Sequence, residues 1–277
     1  MNFFKRKRTH NWIIKIFKIT NPENAAQFEM ERCIFSTIDL VSQKTGLKTN
    51  YFDINYRDAG RTLKTFKKHL AKKKEVVYCT VGFDADKLDT SFTINNQMLN
   101  WTEQPEYAHI DIHMTISTQF AELIAIEEIT EKLITSFDFE YGYITKLPSN
   151  YDDLTERKMK RGLFSSGVQI KASDKVWIFH SVGLREGYIK RLYPINYLNQ
   201  SHLANSETKE VMQTYGVLES ISDTISKWSL SSAEVKELKN NEHIKSISVM
   251  TPDLAFLKTA KAKELNAKME LKNHFKP

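Results

Sequence analysis

YAHIDIHMTIS, residues Tyr107–Ser117, decides the fold. Ile110, Ile112, Met114 and Ile116 alternate with His109, Asp111, His113 and Thr115. A period of two sends four apolar side chains to one face of a sheet, and two imidazoles and a carboxylate to the other. The next stretch, Thr118 to Phe137, changes to helical spacing. Leu123, Ile126, Leu133, Ile134 and Phe137 share one broad side, with Glu128 and Lys132 opposite and one turn apart. FEYGYIT then returns as a strand. An apolar sheet face and an apolar helix side that are neighbours in sequence bury each other, so Tyr107–Leu147 is expected to form the core.

Upstream, Trp12–Ile19 reads as a strand, and Asn21-Pro22 as a cap and first turn of a long helix reaching Lys44. Phe28, Ile34, Phe35, Ile38 and Val41 fall on its inner side, and Gly46 is a natural stop. Asn50–Asn55 is the next strand, so the strand–helix–strand layout occurs twice and would fit a duplication. Arg57–Lys74 reads as one amphipathic helix, with Leu63, Phe66 and Leu70 inward and Arg61, Lys64, Lys68 and Lys72 outward. No aromatic residue interleaves that outer face. Val76–Phe83 and Asp89–Asn95 read as antiparallel strands.

Beyond Pro148 the spacing predicts a short helix over Asp152–Arg161, closed by Gly162. A hairpin around Ala172–Asp174 and a strand over Val217–Ile221 follow. Ser231 and Glu234 make a capping box, His243–Met250 reads as a last strand, and Pro252 opens a C-terminal helix. The class is α+β: a largely antiparallel sheet flanked by helices. A single domain over 1–277 with two lobes, roughly 1–147 and 148–277, is expected.

The 277 residues are 41% hydrophobic, and no apolar run reaches bilayer length. The basic start is not followed by the apolar segment of a signal peptide, so a cytoplasmic protein is expected. Cys33 and Cys79 fit buried reduced thiols better than a metal site. The net charge of +6 is unevenly spread. Residues 1–18 carry basic side chains and no acid. Residues 57–74 carry eight basic side chains against Asp58, and residues 103–140 carry nine acids against Lys132. Such polarity steers a partner.

Several patterns could carry chemistry. His109, Asp111 and His113 share one strand face, where two imidazoles and a carboxylate could hold a metal or move protons. Positions on a single strand diverge too little to surround one ion well. Gln169-Ile170-Lys171, with Asp152 or Asp153 upstream, has the order of a magnesium-dependent nuclease site, in which Asp153 and Lys171 would be the working pair. Phosphate-cradling glycine motifs are absent, with nine glycines in the whole chain. No cofactor is implied. A third reading is a basic nucleic-acid-binding accessory protein using residues 1–18 and 57–74.

GLREGYIKRLYPINYLNQSHL (Gly183–Leu203) centres on Arg191, Leu192, Tyr193, Pro194, Asn196 and Leu198. It resembles a segment of bacterial polymorphic-toxin immunity proteins, including those beside type VI secretion effectors. The strand–helix–strand unit ending in YGYIT looks like theirs as well, and the resemblance spans about residues 100–205. It implies a non-enzymatic cytoplasmic protein that binds one cognate toxin, with no membrane and no sequence-specific nucleic acid as partner. Arg191 would pair with a toxin carboxylate and Tyr193 would anchor the interface, with Asn196 beside them. The alternative for this segment is a buried turn, with Pro194 interrupting the strand and Asn196 bonding the backbone. Asp111, Glu127, Glu128 and Glu131 would form an acidic ridge suited to a toxin's basic cleft.

Overall fold

A computed structural model describes residues 9–18, 27–83, 90–96, 109–152, 156–161, 166–167, 184, 186–251 and 255–264. The chain divides into two compact units, Met1–Val168 and Gln169–Pro277.

The first unit is a wholly antiparallel sheet. Its strands are β1 (His10–Lys18), β2 (Thr49–Ile54), β3 (Arg57–Gly60), β4 (Tyr78–Phe83), β5 (Ser91–Asn96), β6 (Ile110–Ser117) and β7 (Tyr141–Pro148). They lie in the order β7-β1-β6-β5-β4-β2-β3. One face is covered by α1 (Met30–Thr45), α2 (Leu63–Leu70) and α3 (Leu123–Phe137). The β6 alternation holds: Ile110, Ile112, Met114 and Ile116 are all buried, as are Ile14 and Ile16 of β1 beside them. Each such side chain contributes about 1.5–3 kcal/mol on leaving water.

Both strand–helix–strand stretches are crossovers joining strands that run the same way. From β6 through α3 to β7 the chain steps over β1, whereas from β1 through α1 to β2 it steps over three strands. The two helices meet side by side. Phe28 lies 6.2 Å from Phe137, and the Arg32 guanidinium sits 4.9 Å over the Phe137 ring. At the far end Lys44 of α1 pairs with Glu128 of α3. Gly46 ends α1 at φ 72°, its N–H bonding the Ser42 carbonyl.

Three expectations change. The helix of Arg57–Lys74 begins only at Leu63, because Arg57–Gly60 pairs with β2 and Thr62 caps the helix through the Thr65 N–H. Helix α1 begins at Met30 after Glu29; Asn21 and Pro22 lie outside the described residues. The helix predicted over Asp152–Arg161 is replaced by short ladders. β8 (Tyr151–Asp152) pairs with β9 (Arg157–Lys158), and β10 (Lys160–Arg161) with β11 (Ser166–Gly167). Glu156 at φ 56° turns the chain between β8 and β9.

In the second unit, β12 (Ile195–Asn199), β13 (Val217–Ser220) and β14 (Ile225–Ser229) form an antiparallel set with β14 in the middle. Trp228 is fully buried, and its indole N–H donates to the Tyr215 carbonyl at 2.7 Å. Gly216 next to it has φ 72°, and a Cβ there would meet the Ser229 oxygen at 2.2 Å. Around these strands lie α4 (Gln200–Leu203), α5 (Ser206–Thr214), α6 (Ser232–Leu238) and α7 (Glu242–Ile247). The Ser231–Glu234 capping box forms as read from the sequence. His243–Met250 is a helix rather than a strand for most of its length. Asn241 accepts from the His243 and Ile244 N–H groups and starts α7 before any pairing is possible. Only Ser248 makes a bridge, to Ile189. The hairpin expected around Ala172–Asp174 lies outside the described residues.

Candidate functional site

The sheet face away from the helices carries His109, Asp111 and His113. His109 Nε2 lies 3.4 Å from Asp111 Oδ2, and both side chains are largely shielded. The register sets His113 between Thr93 and Lys15, and Asp111 between Asn95 and Phe17. Tyr143 lies beyond Lys15, and its hydroxyl donates to the buried Glu156 carboxylate at 3.2 Å. Phe17 packs on His109 at 5.6 Å and on Tyr141 at 5.7 Å. This polar face is therefore half-buried, with Lys15 only 6% exposed. Phe17, Tyr141 and Tyr143 pack among the polar groups and are themselves buried. Among the described residues no group of three or more His, Cys, Asp or Glu side chains is placed to hold a metal ion.

Asp111 and the acids of α3 are not brought together. Asp111 points to the polar face, while α3 packs on the opposite, aliphatic one. Glu127, Glu128 and Glu131 remain together on the outer side of α3, where Glu128 pairs with Lys44. At the head of this outer side stands Ile124, 64% exposed, with the partly exposed Phe120 just before the helix. Ile124, Glu128, Glu131 and Thr135 are spaced by four, three and four residues, a single stripe along the helix. The sequence reading missed Ile124, although a helical wheel puts it among the acids rather than with Ile126, Leu133 and Ile134.

Arg191, Tyr193 and Asn196 do come together, but inwardly. Asn196 is fully buried: its Oδ1 accepts from the Tyr193 N–H at 3.2 Å, and its Nδ2 donates to the Tyr193 carbonyl at 2.7 Å. Tyr193 is buried as well, and its hydroxyl accepts from Arg191 Nε at 3.2 Å. The segment is the buried turn of the alternative reading. Just downstream, His202 closes a capping box with Asn199. Its Nε2 lies 3.0 Å from the Tyr188 carbonyl and its Nδ1 faces the Asn199 N–H, and burial pulls its pKa down to about 4. Cys33 and Cys79 are buried free thiols, and burial pushes Cys33 up to about 12 and Cys79 in the same direction. Neither is poised as a nucleophile. Asp153 and Lys171, the candidate nuclease pair, lie outside the described residues.

No family model matches the chain, and no curated protein matches it. Its fold is similar to that of the Pseudomonas aeruginosa T6SS protein PA0821. The superposition covers 86% of this chain and 76% of PA0821, with a TM-score of 0.55 and 8% identity. At that identity the likeness to PA0821 is one of fold. No helix among the described residues is long and apolar enough to cross a membrane.

Proposed function

We propose that this chain is a non-enzymatic cytoplasmic protein of a type VI secretion setting that binds and neutralises a cognate antibacterial toxin. The observation that carries the reading is the outer side of α3, where an isoleucine 64% exposed heads a row of glutamates. An apolar anchor beside a mainly acidic row, bordered by Lys44 and Lys132, is what a partner with a basic cleft would take: the charges speed encounter and the anchor sets the off-rate. Seating Ile124 in a pocket contributes about 1.5–3 kcal/mol. The fold shared with a T6SS protein and the resemblance of Gly183–Leu203 to immunity proteins support the same setting. Arg191, Tyr193 and Asn196 would then hold the second unit in shape rather than touch the toxin.

The test is titration of the purified chain with candidate toxins encoded by neighbouring genes, at two salt concentrations. Glu128→Lys/Glu131→Lys is expected to slow association at low salt and to flatten its salt dependence, and Ile124→Asp to raise the off-rate at least about tenfold. Wild-type protection and kinetics in both variants would rule this surface out.

A further inference from the structure

At the edge of the first sheet, Asn55 and Tyr56 join β2 to β3 as a two-residue turn with φ of 52° and 62°. This is the backbone in which glycine is the usual second residue, and a bulky side chain there is strained. Tyr56 is nevertheless kept, 69% exposed, with one ring face stacked on Tyr78 at 4.2 Å and 20°. Its other face looks into solvent.

The turn is fixed from behind. Asn55 Nδ2 donates to the Glu75 carbonyl at 3.0 Å, and its Oδ1 accepts from the Val77 and Tyr78 N–H groups at 2.9 and 3.1 Å. These bonds bring the chain leaving α2 against the turn. Lys72, Lys73 and Lys74, fifteen or more positions away in sequence, thus lead into the same corner as Tyr56 and Arg57, with Lys68 one turn back on α2. All are exposed, and none pairs with a carboxylate. Of the acids nearby, Asp58 is taken by Arg61 at 3.0 Å, and the Asp53 carboxylate accepts from the Arg57 and Tyr56 backbone N–H groups, which leaves Glu75. Lys64 and Lys68 stand four residues apart on α2, like charges that repel one another, and Lys72 follows in the turn just past its end.

We infer that this corner binds single-stranded nucleic acid without sequence preference: a base stacks on the open face of Tyr56, and Arg57, Lys68 and Lys72–Lys74 hold the flanking phosphates. A rigid, strained, outward-facing ring beside unpaired cations is the pairing such binding needs. A duplex would leave the ring unused. A lipid surface would call for aliphatic side chains beside the cations, and the exposed Phe120 and Ile124 belong to the α3 end instead.

The experiment is fluorescence anisotropy of the full chain with labelled twenty-residue oligo-uridine and oligo-thymidine, across salt. A duplex of the same length and vesicles containing phosphatidylserine serve as competitors. Saturable single-strand binding is expected, and preference for one oligomer tells RNA from DNA. Tyr56→Gly is expected to weaken binding about tenfold and Tyr56→Phe to keep it, with both melting within about 3 °C of wild type, since glycine suits the turn. Lys72→Gln/Lys73→Gln/Lys74→Gln is expected to lower the slope of log affinity against log salt by about 2. The inference is overturned if neither oligomer binds, if Tyr56→Gly binds as wild type does, or if duplex or vesicles compete as well as the single strand.

Discussion

Two turns in this chain use the same two residue types and come out opposite. At Tyr193–Asn196 the asparagine amide is spent on the tyrosine's own backbone, and both side chains are buried. At Asn55–Tyr56 the asparagine again clamps backbone, here that of Glu75, Val77 and Tyr78, but the tyrosine is pushed outward. Neighbouring cations differ in the same sense: Arg191 is turned onto Tyr193, whereas Arg57 is left in solvent. Residue type names the capacity to bond or stack; burial decides whether the fold or a partner uses it.

Removing Asn196 would break the inward turn most severely. Asn196→Ala leaves the buried N–H and carbonyl of Tyr193 without partners, at about 1–3 kcal/mol each, so a loss of about 4 kcal/mol in urea unfolding is expected. A loss under about 1 kcal/mol would put the amide's bonds in doubt. His202 sharpens the same region through pH. Its folded pKa, near 4, lies below the unfolded value, so the unfolded chain holds the extra proton between about pH 4 and 6.5. Stability is then complete above about pH 6.5 and falls by about 3 kcal/mol as pH drops through that window to 4. His202→Gln should flatten this dependence in unfolding measured across pH. At the outward turn, Tyr56→Gly should change stability by no more than about 1 kcal/mol, because relief of the backbone offsets the lost stacking with Tyr78. The smallest effect is expected for Glu128→Lys. Its pair with Lys44 is partly exposed, and denaturation should register less than about 1 kcal/mol.

Much of the fold could be read directly. The alternation along Ile110–Ile116, the helical spacing through Phe137, the stop at Gly46 and the Ser231–Glu234 box are local signals, and local structure obeyed them. Failures came where pairing at a distance overrode a local pattern. Arg57–Gly60 has neighbours suited to a helix but is captured by β2, and Asn55-Tyr56 lacks the glycine that announces a tight turn. Asn241 starts a helix although the apolar alternation beyond it has the pattern of a strand. The candidate interfaces were less legible still. Exposure is a property of the assembled unit, so Tyr56, Tyr193 and Asn196 could not be sorted from their spacing alone, whereas the helical spacing of Ile124 does place it outward.

The position of β1 has a consequence for biosynthesis. Ile14 pairs with Met114 on one side and Ile144 on the other. The first of the described strands therefore waits for β7, the last to join it in the first unit. At about 5–20 residues per second its first neighbour, β6, follows after roughly 5–20 s and its second, β7, after roughly 7–26 s. WIIKIF is β-prone and apolar, the kind of segment that aggregates when left open, and Lys15 interrupts it. The lysine that ends up buried between His113 and Tyr143 thus breaks the apolar run in the way that gatekeeper residues flank and interrupt aggregation-prone strands.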